Sequence, residues 1–238
     1  MVVPKHKVGL IVPANNNIIE PEFWSLSLPE VAFYSTRVMA KGDLTAQAVI
    51  RMEDSVNRAV DELVAAGVNL IVYSDMVTTF IMDPDWNERR IREIKERTGI
   101  KCISAWSALS EALAALKINR LALGTPYPVE IHQLAISYFE EKGYLITKNE
   151  TFDIRAMTDV GKITSNQIFE TASILNDKEC DAILFLATDL GTFEVISAIE
   201  DKFDVPVLSS NQTILWSALH KLNYNSEFID LGGLFVHQ

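Results

Sequence analysis

Cysteine is scarce in this chain: two in 238 residues, Cys102 and Cys180. That number builds neither a disulfide framework nor a thiolate metal cluster, as expected of a protein kept in a reducing compartment. Basic side chains are outnumbered, 21 against 32 acidic ones for a net charge of −11, so a phosphate backbone is repelled over most of the surface and nucleic acid is not an expected partner. Four histidines add little to that balance. No apolar run approaches the roughly 18 residues of a membrane span, so no membrane partner is expected. The opening stretch Met1–Lys7 leads into an apolar segment ending at Pro13, too short for a secretory signal, and the expected location is the cytoplasm. Glycine and proline, 10 and 8, gather into no linker. With no basic cluster, an anionic ligand must be gripped by backbone N–H groups, hydroxyls and amides.

What remains is an ordinary globular composition: 48% hydrophobic and 22% charged, with a mean hydropathy of +0.13. This excludes disorder and suits one large domain or two lobes of about 110–120 residues. Short β-branched runs at Val8–Val12, Leu70–Tyr73, Cys102–Ser104, Leu121–Leu123, Ala182–Leu186 and Val205–Leu208 alternate with segments of helical period. Such alternation makes parallel strands with crossover helices, an α/β fold. Asp85-x-x-Glu88 and Thr164-x-x-Gln167 read as capping boxes, and Leu44–Ala66, closed by Gly67, reads as the longest helix.

The chain also repeats itself. Trp106-Ser107-Ala108-Leu109 recurs as Trp216-Ser217-Ala218-Leu219, an offset of 216 − 106 = 110, and each copy follows a strand ending in serine. Pro13 and Pro126 are offset by 126 − 13 = 113, as are Tyr73 and Leu186 (186 − 73 = 113). Two pseudo-symmetric lobes follow, 1–115 and 116–238, with carboxyl strand ends facing one another across a cleft where α/β sheets bind ligands. The competing reading is an undirected repetition of similar elements.

That geometry selects the residues just past each strand: Pro13-Ala14-Asn15-Asn16-Asn17, Ser74-Asp75-Met76-Val77-Thr78-Thr79, Thr125-Pro126-Tyr127, Ala187-Thr188-Asp189 and Ser209-Ser210-Asn211-Gln212. Hydroxyls and amides beside free N–H groups suit a carboxylate or an enolate-like oxyanion. Singly, each also suits a helix cap or a turn.

The segment from Gly9 to Glu22, with Pro13-Ala14-Asn15-Asn16-Asn17 at its centre, resembles the opening signature of the maleate cis–trans isomerase and arylmalonate decarboxylase family, within the aspartate/glutamate racemase superfamily. Thr125-Pro126-Tyr127 with Glu130, and Pro206–Gln212 followed by Trp216, are similar to two further family blocks in the same order. The resemblance spans essentially the whole chain. It implies two lobes, each a parallel four-stranded sheet flanked by helices, and a small carboxylate bound between them without metal or organic cofactor. It also implies a homo-oligomer, a dimer or tetramer. By that resemblance Tyr127 is catalytic, bonding a substrate carboxylate, and the substrate-binding set is Pro13, Asn16, Ser74, Met76, Val77, Thr78, Ala187, Thr188, Ser210 and Asn211. In Asp153–Gly161 the family's asparagine has no counterpart, Thr158 and Asp159 being the nearest polar residues.

The family's two cysteine positions are matched by Asp75 and Ala187. Cys180 precedes its strand and so lies on the order of 20 Å from the carboxyl end, at about 3.3 Å per residue. Cys102 reads as a core thiol, so thiolate addition is not supported. Asp75 carries the chemistry instead: desolvation at a strand end raises a carboxyl pKa and suits it to general acid or base work, unless it merely caps a helix. Ala187 offers no such group. His132 is placed to support Tyr127 or Asp75, or is structural; His6, His220 and His237 belong to no constellation. The expected function is a cofactor-independent enzyme on a small dicarboxylic or related acid, through decarboxylation, proton transfer, or water addition or hydrolysis. The alternatives are a non-catalytic carboxylate-binding protein and a maleate isomerase or racemase type of enzyme with Ala187 in place of its second cysteine.

Overall fold

Eight strands form two sheets in which every pairing is parallel, because a crossover segment follows each strand. The computed structural model describes residues 3–236; Met1, Val2, His237 and Gln238 lie outside them. One sheet holds β1 (His6–Pro13), β2 (Val31–Val38), β3 (Leu70–Tyr73) and β4 (Lys101–Ser104) in the order β2-β1-β3-β4. The other holds β5 (Arg120–Thr125), β6 (Leu145–Thr151), β7 (Ala182–Phe185) and β8 (Val207–Ser209) in the order β6-β5-β7-β8. The second order is the first displaced by four strands, the α/β pseudo-symmetry that the repeated tetrapeptide implies.

Eleven α-helices among the described residues cover the sheets: α1 (Ile19–Ser25), α2 (Ala46–Met52), α3 (Val56–Ala65), α4 (Thr78–Ile81), α5 (Trp86–Thr98), α6 (Ala105–Ala115), α7 (Val129–Glu141), α8 (Ser165–Leu175), α9 (Ile196–Phe203), α10 (Ser210–Lys221) and α11 (Gly233–Val236). Two 3-10 turns lie at Glu53–Ser55 and Met157–Lys162. None of the helices is long and apolar enough to cross a membrane.

The six apolar runs correspond to β1, β3, β4, β5, β7 and β8. β2 and β6 were not among them, because β2 alternates between buried and partly exposed residues and β6 has no buried residue, Leu145 and Lys148–Glu150 being exposed; β4 and β8 are outer strands too, but are buried over most of their length and read as apolar runs. The expected helix Leu44–Ala66 is broken into α2 and α3. The Ser55 hydroxyl donates to the Met52 carbonyl at 3.1 Å and accepts the Met39 N–H at 3.4 Å, a local bonding that competes with the helical ladder. Of the two expected capping boxes, Thr164/Gln167 forms and Asp85/Glu88 does not. Asp85 makes no cap bond, and the Trp86 N–H turns to the Asp83 carbonyl at 3.0 Å. Two further boxes, Ser104/Ser107 and Ser209/Gln212, open α6 and α10. These are the helices that carry the repeated tetrapeptides, and they pack on each other. Glu111 of α6 accepts from Ser217 at 2.7 Å and from Lys221 at 2.6 Å.

Close approach rather than backbone freedom requires glycine at Gly124 in β5, where an added Cβ would stand 2.7 Å from the Phe185 ring. Gly124→Ala is expected to cost about 1–3 kcal/mol through overpacking, lowering the melting temperature by about 2–4 °C per kcal/mol. An unchanged melting temperature contradicts this packing.

Candidate active site

The residues just past β1, β3, β5 and β7 converge on one cavity. Its polar wall is Asn15, Asp75, Tyr127, Thr188 and Asp189, and its apolar wall is Pro13, Ala40, Leu44, Val49, Met52, Val77, Met157, Val160 and Ala187. No lysine, arginine or histidine is among them. A clasp between the halves supplies part of the apolar side. The Leu44 N–H donates to the Arg155 carbonyl at 2.8 Å, and the Met157 N–H to the Gly42 carbonyl at 3.0 Å. Thr158 and Asp159 are absent from the wall; Asp159 pairs with Lys162.

Asp75 is buried, and its Oδ2 accepts the Thr78 N–H at 3.0 Å together with the Thr78 hydroxyl. Removal from water pushes its carboxyl up to about 6; the Thr78 bonds pull the other way and the Glu53 charge adds. Asp189, partly exposed, is bonded by the Asn15 amide at 3.0 Å. Desolvation pushes it up to about 7, and the charge of Asp75 adds to the push. Tyr127 is 3% exposed, its ring set edge-on to Phe80 at 6.2 Å, and its hydroxyl has no hydrogen-bond partner in the protein. Burial first, then the charges of Asp75 and Asp189, hold its pKa well above that of an ordinary phenol, so it remains a donor.

Behind this wall the remaining expected residues bond mostly to one another. The Thr188 hydroxyl accepts from the Asn16 amide and donates to the Ser74 carbonyl, both at 3.0 Å. The Thr188 carbonyl accepts from the Asn211 amide at 3.0 Å. Asn211 also donates to Glu22 at 2.6 Å, and the Phe193 N–H reaches the same carboxyl at 2.9 Å. Burial pushes Glu22 up to about 7. The Ser210 hydroxyl accepts the N–H of Ala187 at 3.1 Å. Ala187 itself has a φ of +103°, a conformation that strains any residue with a Cβ and that collects at functional sites.

Of the expected set, the cavity wall contains Pro13, Asp75, Val77, Tyr127, Ala187 and Thr188, whereas Asn16, Ser74, Met76, Thr78, Ser210 and Asn211 lie outside it. His132 supports neither Tyr127 nor Asp75 by a side-chain bond. Its ring bonds Thr125 at 2.9 Å and Asn149 at 3.1 Å, and burial lowers its pKa. Neither cysteine lines the cavity. Cys102 is buried in β4 with its thiol pushed up to about 12 by desolvation, and Cys180 precedes β7 with a thiol also raised. Asn15 and Asp189 stood in the post-strand groups without an assigned role. The signal for Asp189 was its offset from Asp75, 189 − 75 = 114, one residue off the repeat of 113. Among the described residues no group of three or more His, Cys, Asp or Glu side chains could hold a metal ion.

The arylmalonate decarboxylase family model matches residues 8–235. The chain is 27% identical to the maleate isomerase of Nocardia farcinica, over 91% of this chain and 90% of that one. It is 22% identical to the arylmalonate decarboxylase of Bordetella bronchiseptica, over 89% and 88%. Among solved structures, the Nocardia farcinica maleate cis–trans isomerase carrying a covalently bound succinylcysteine intermediate superposes with a TM-score of 0.91 at 28% identity, over 97% of this chain and 98% of that one. The Pseudomonas putida S16 maleate isomerase with maleate also gives 0.91, at 22% identity and 98% of each chain.

Three carboxyls that burial raises strongly, Asp75, Asp189 and Glu22, dominate the pH dependence of stability, and Glu200, raised by the same cause, adds in the same direction. The folded state keeps protons on Asp75, Asp189 and Glu22 that the unfolded chain releases near pH 3.8–4.5, up to about 6, 7 and 7 respectively. Their contribution is complete below the unfolded values and is lost as pH rises through the folded ones. The melting temperature is therefore expected to fall between about pH 4.5 and 7.5, and the Asp75→Asn/Asp189→Asn pair to flatten that fall. A double variant with the slope of the parent contradicts the assignment.

Proposed function

The chain belongs to the arylmalonate decarboxylase family, and from that premise we propose that it is an enzyme that moves a proton at the carbon beside a carboxylate of a small carboxylic acid, with Asp75 as its general base. The observation that carries this is the Asp75 carboxyl itself: buried, lining the cavity past β3, and raised to about 6, where a family thiol is expected. A base works best when its pKa is close to the working pH.

Asp75 removes the proton as the C–H bond breaks. The electron pair passes into the substrate carboxyl, giving an enediolate; the proton on Asp75 exchanges with water, and one is then returned to the same carbon, so the net change is α-hydrogen exchange, with inversion where the enediolate has turned in the cavity before it is reprotonated. No co-reactant enters the balance. The Tyr127 hydroxyl, unpartnered in the protein, donates to the oxygen on which charge builds and is worth most in the transition state. The apolar side of the cavity takes the acid's substituent. The cysteine chemistry of the Nocardia relative is not carried over, since both thiols of this chain lie outside the cavity.

One observation favours the non-catalytic alternative: Thr78 already occupies Oδ2 of Asp75 twice, as it would a capping carboxylate. Turnover separates the two readings. Asp75→Asn is expected to retain binding of the acid while losing about 10²–10⁴-fold in kcat. In the parent, kcat/KM is expected to fall as pH drops through about 6, because protonation removes the base. Undiminished turnover in Asp75→Asn rejects the role of Asp75. Binding of acids with no exchange of the α-proton for deuterium supports the non-catalytic protein.

A further inference from the structure

Behind Asp75 a line of hydrogen bonds leads away from the cavity. Its Oδ2 accepts the Thr78 hydroxyl. The same hydroxyl bonds the Tyr73 phenol, and the phenol donates to Glu53. Glu53 opens the 3-10 turn Glu53–Ser55 and pairs with Arg90 at 2.8 Å. Asp75, Thr78 and Tyr73 are buried, whereas the Glu53 side chain is 16% exposed, so the line ends at solvent. Neither Tyr73 nor Glu53 lines the cavity.

Packing does not account for the polar members of this line. The Tyr73 ring stands edge-on to Trp86 at 5.1 Å, a contact that phenylalanine would also make, and a hydroxyl buried so deeply is costly unless it is bonded. A carboxylate beyond that phenol is costlier still beside a catalytic base, because like charges repel through the interior. Glu53 acts on Asp75 in that sense. Arg90, shared with Glu93 at 3.3 Å, offsets the Glu53 charge from the outer side.

We propose that Thr78, Tyr73 and Glu53 form a proton relay, which carries the proton of Asp75 to solvent behind the cavity and returns one by the same route while the substrate fills the front. The proposal rests on the reading of Asp75 as the general base. Once Asp75 has taken the α-proton, its carboxyl turns the new O–H to the Thr78 oxygen. The Thr78 O–H then turns to the Tyr73 oxygen, and the Tyr73 O–H points to Glu53 as it already does. Both hydroxyls suit the task, since each donates and accepts at one oxygen. Every oxygen between gains one proton and passes on its own, so Asp75 ends as a carboxylate and Glu53 as an acid. Glu53 releases its proton to water, because the Arg90 guanidinium favours the carboxylate. The reverse sequence brings a proton from water to Asp75, and from there to the enediolate carbon. Tyr73 and Glu53 are positioning residues for this chemistry; neither touches the substrate.

The test follows label leaving the α-carbon of phenylacetate in ordinary water, with the whole protein. In the parent, label on Asp75 escapes through the relay faster than it returns to carbon, so its loss shows the deuterium-to-tritium isotope effect of C–H cleavage. Tyr73→Phe keeps the ring and removes one carrier. Glu53→Gln leaves the buried members in place and sets at the outlet an amide that takes no proton, which reads the relay even where Tyr73→Phe fails to fold. Each is expected to slow the loss of label at least about tenfold and to bring the isotope effect close to unity, because return to carbon then outruns escape. A merely structural role slows the loss and leaves the isotope effect as in the parent. That result, variants that lose label as fast as the parent, or an isotope effect already close to unity in the parent overturns the relay and leaves the role of Asp75 standing. Phenylacetate that keeps its label with the parent protein overturns the proton chemistry of Asp75 together with the relay.

Discussion

A buried carboxyl, Asp75, and a half-buried one, Asp189, facing one cavity with no cation in its wall are the constraint around which this molecule is arranged. A buried carboxylate without a partner is costly, and a carboxyl so placed keeps its proton to higher pH instead. Asp75 and Asp189 are held in that condition by different means. Thr78 binds the first through a backbone N–H and a hydroxyl, and Asn15 binds the second through an amide. Tyr127, forced to remain a phenol by the same surroundings, completes a polar face opposite an apolar one. Acid–base chemistry at carbon needs such a face, whereas thiol chemistry needs a low-pKa cysteine that this cavity does not contain.

The polar residues at the strand ends divide into two layers. Those in the wall can meet a ligand; those behind it hold the halves together. Thr188 belongs to both, since it lines the cavity while its hydroxyl and carbonyl join Asn16, Ser74 and Asn211. The width of the cleft is therefore set by bonds that run from one half to the other, with Glu22 gathering Asn211 and the turn at Thr192 and Phe193. The strained backbone at Ala187 is held within the same network by its bond to Ser210.

How far the sequence could be read depended on how local the signal was. Strands buried over most of their length, the outer β4 and β8 among them, are continuous apolar runs and were legible; β2 and β6 were not, because their exposed residues dilute the pattern. The repeat predicted which strand ends would meet, and so located Asp75, Tyr127 and Thr188 at one cavity. It did not say which polar side chains would be spent on each other, since Asn16 and Asn211 carry the same donors whether they bind a ligand or Thr188. The apolar wall contributed by Leu44, Val49, Met52, Met157 and Val160 comes from segments far apart in the chain, and only tertiary contacts join them. The break at Ser55 has a local origin that the apolar period does not register, a nearby backbone acceptor that takes the hydroxyl.

The account stands on both cavity carboxyls holding protons well above the usual aspartate range, and carbon-13 NMR of aspartate-labelled protein reads this directly. Titration of the carboxyl resonances, assigned with Asp75→Asn and Asp189→Asn, is predicted to give midpoints near 6 for Asp75 and near 7 for Asp189, with coupling between the two. Two resonances that titrate below about 4.5, like aspartates in water, would contradict it.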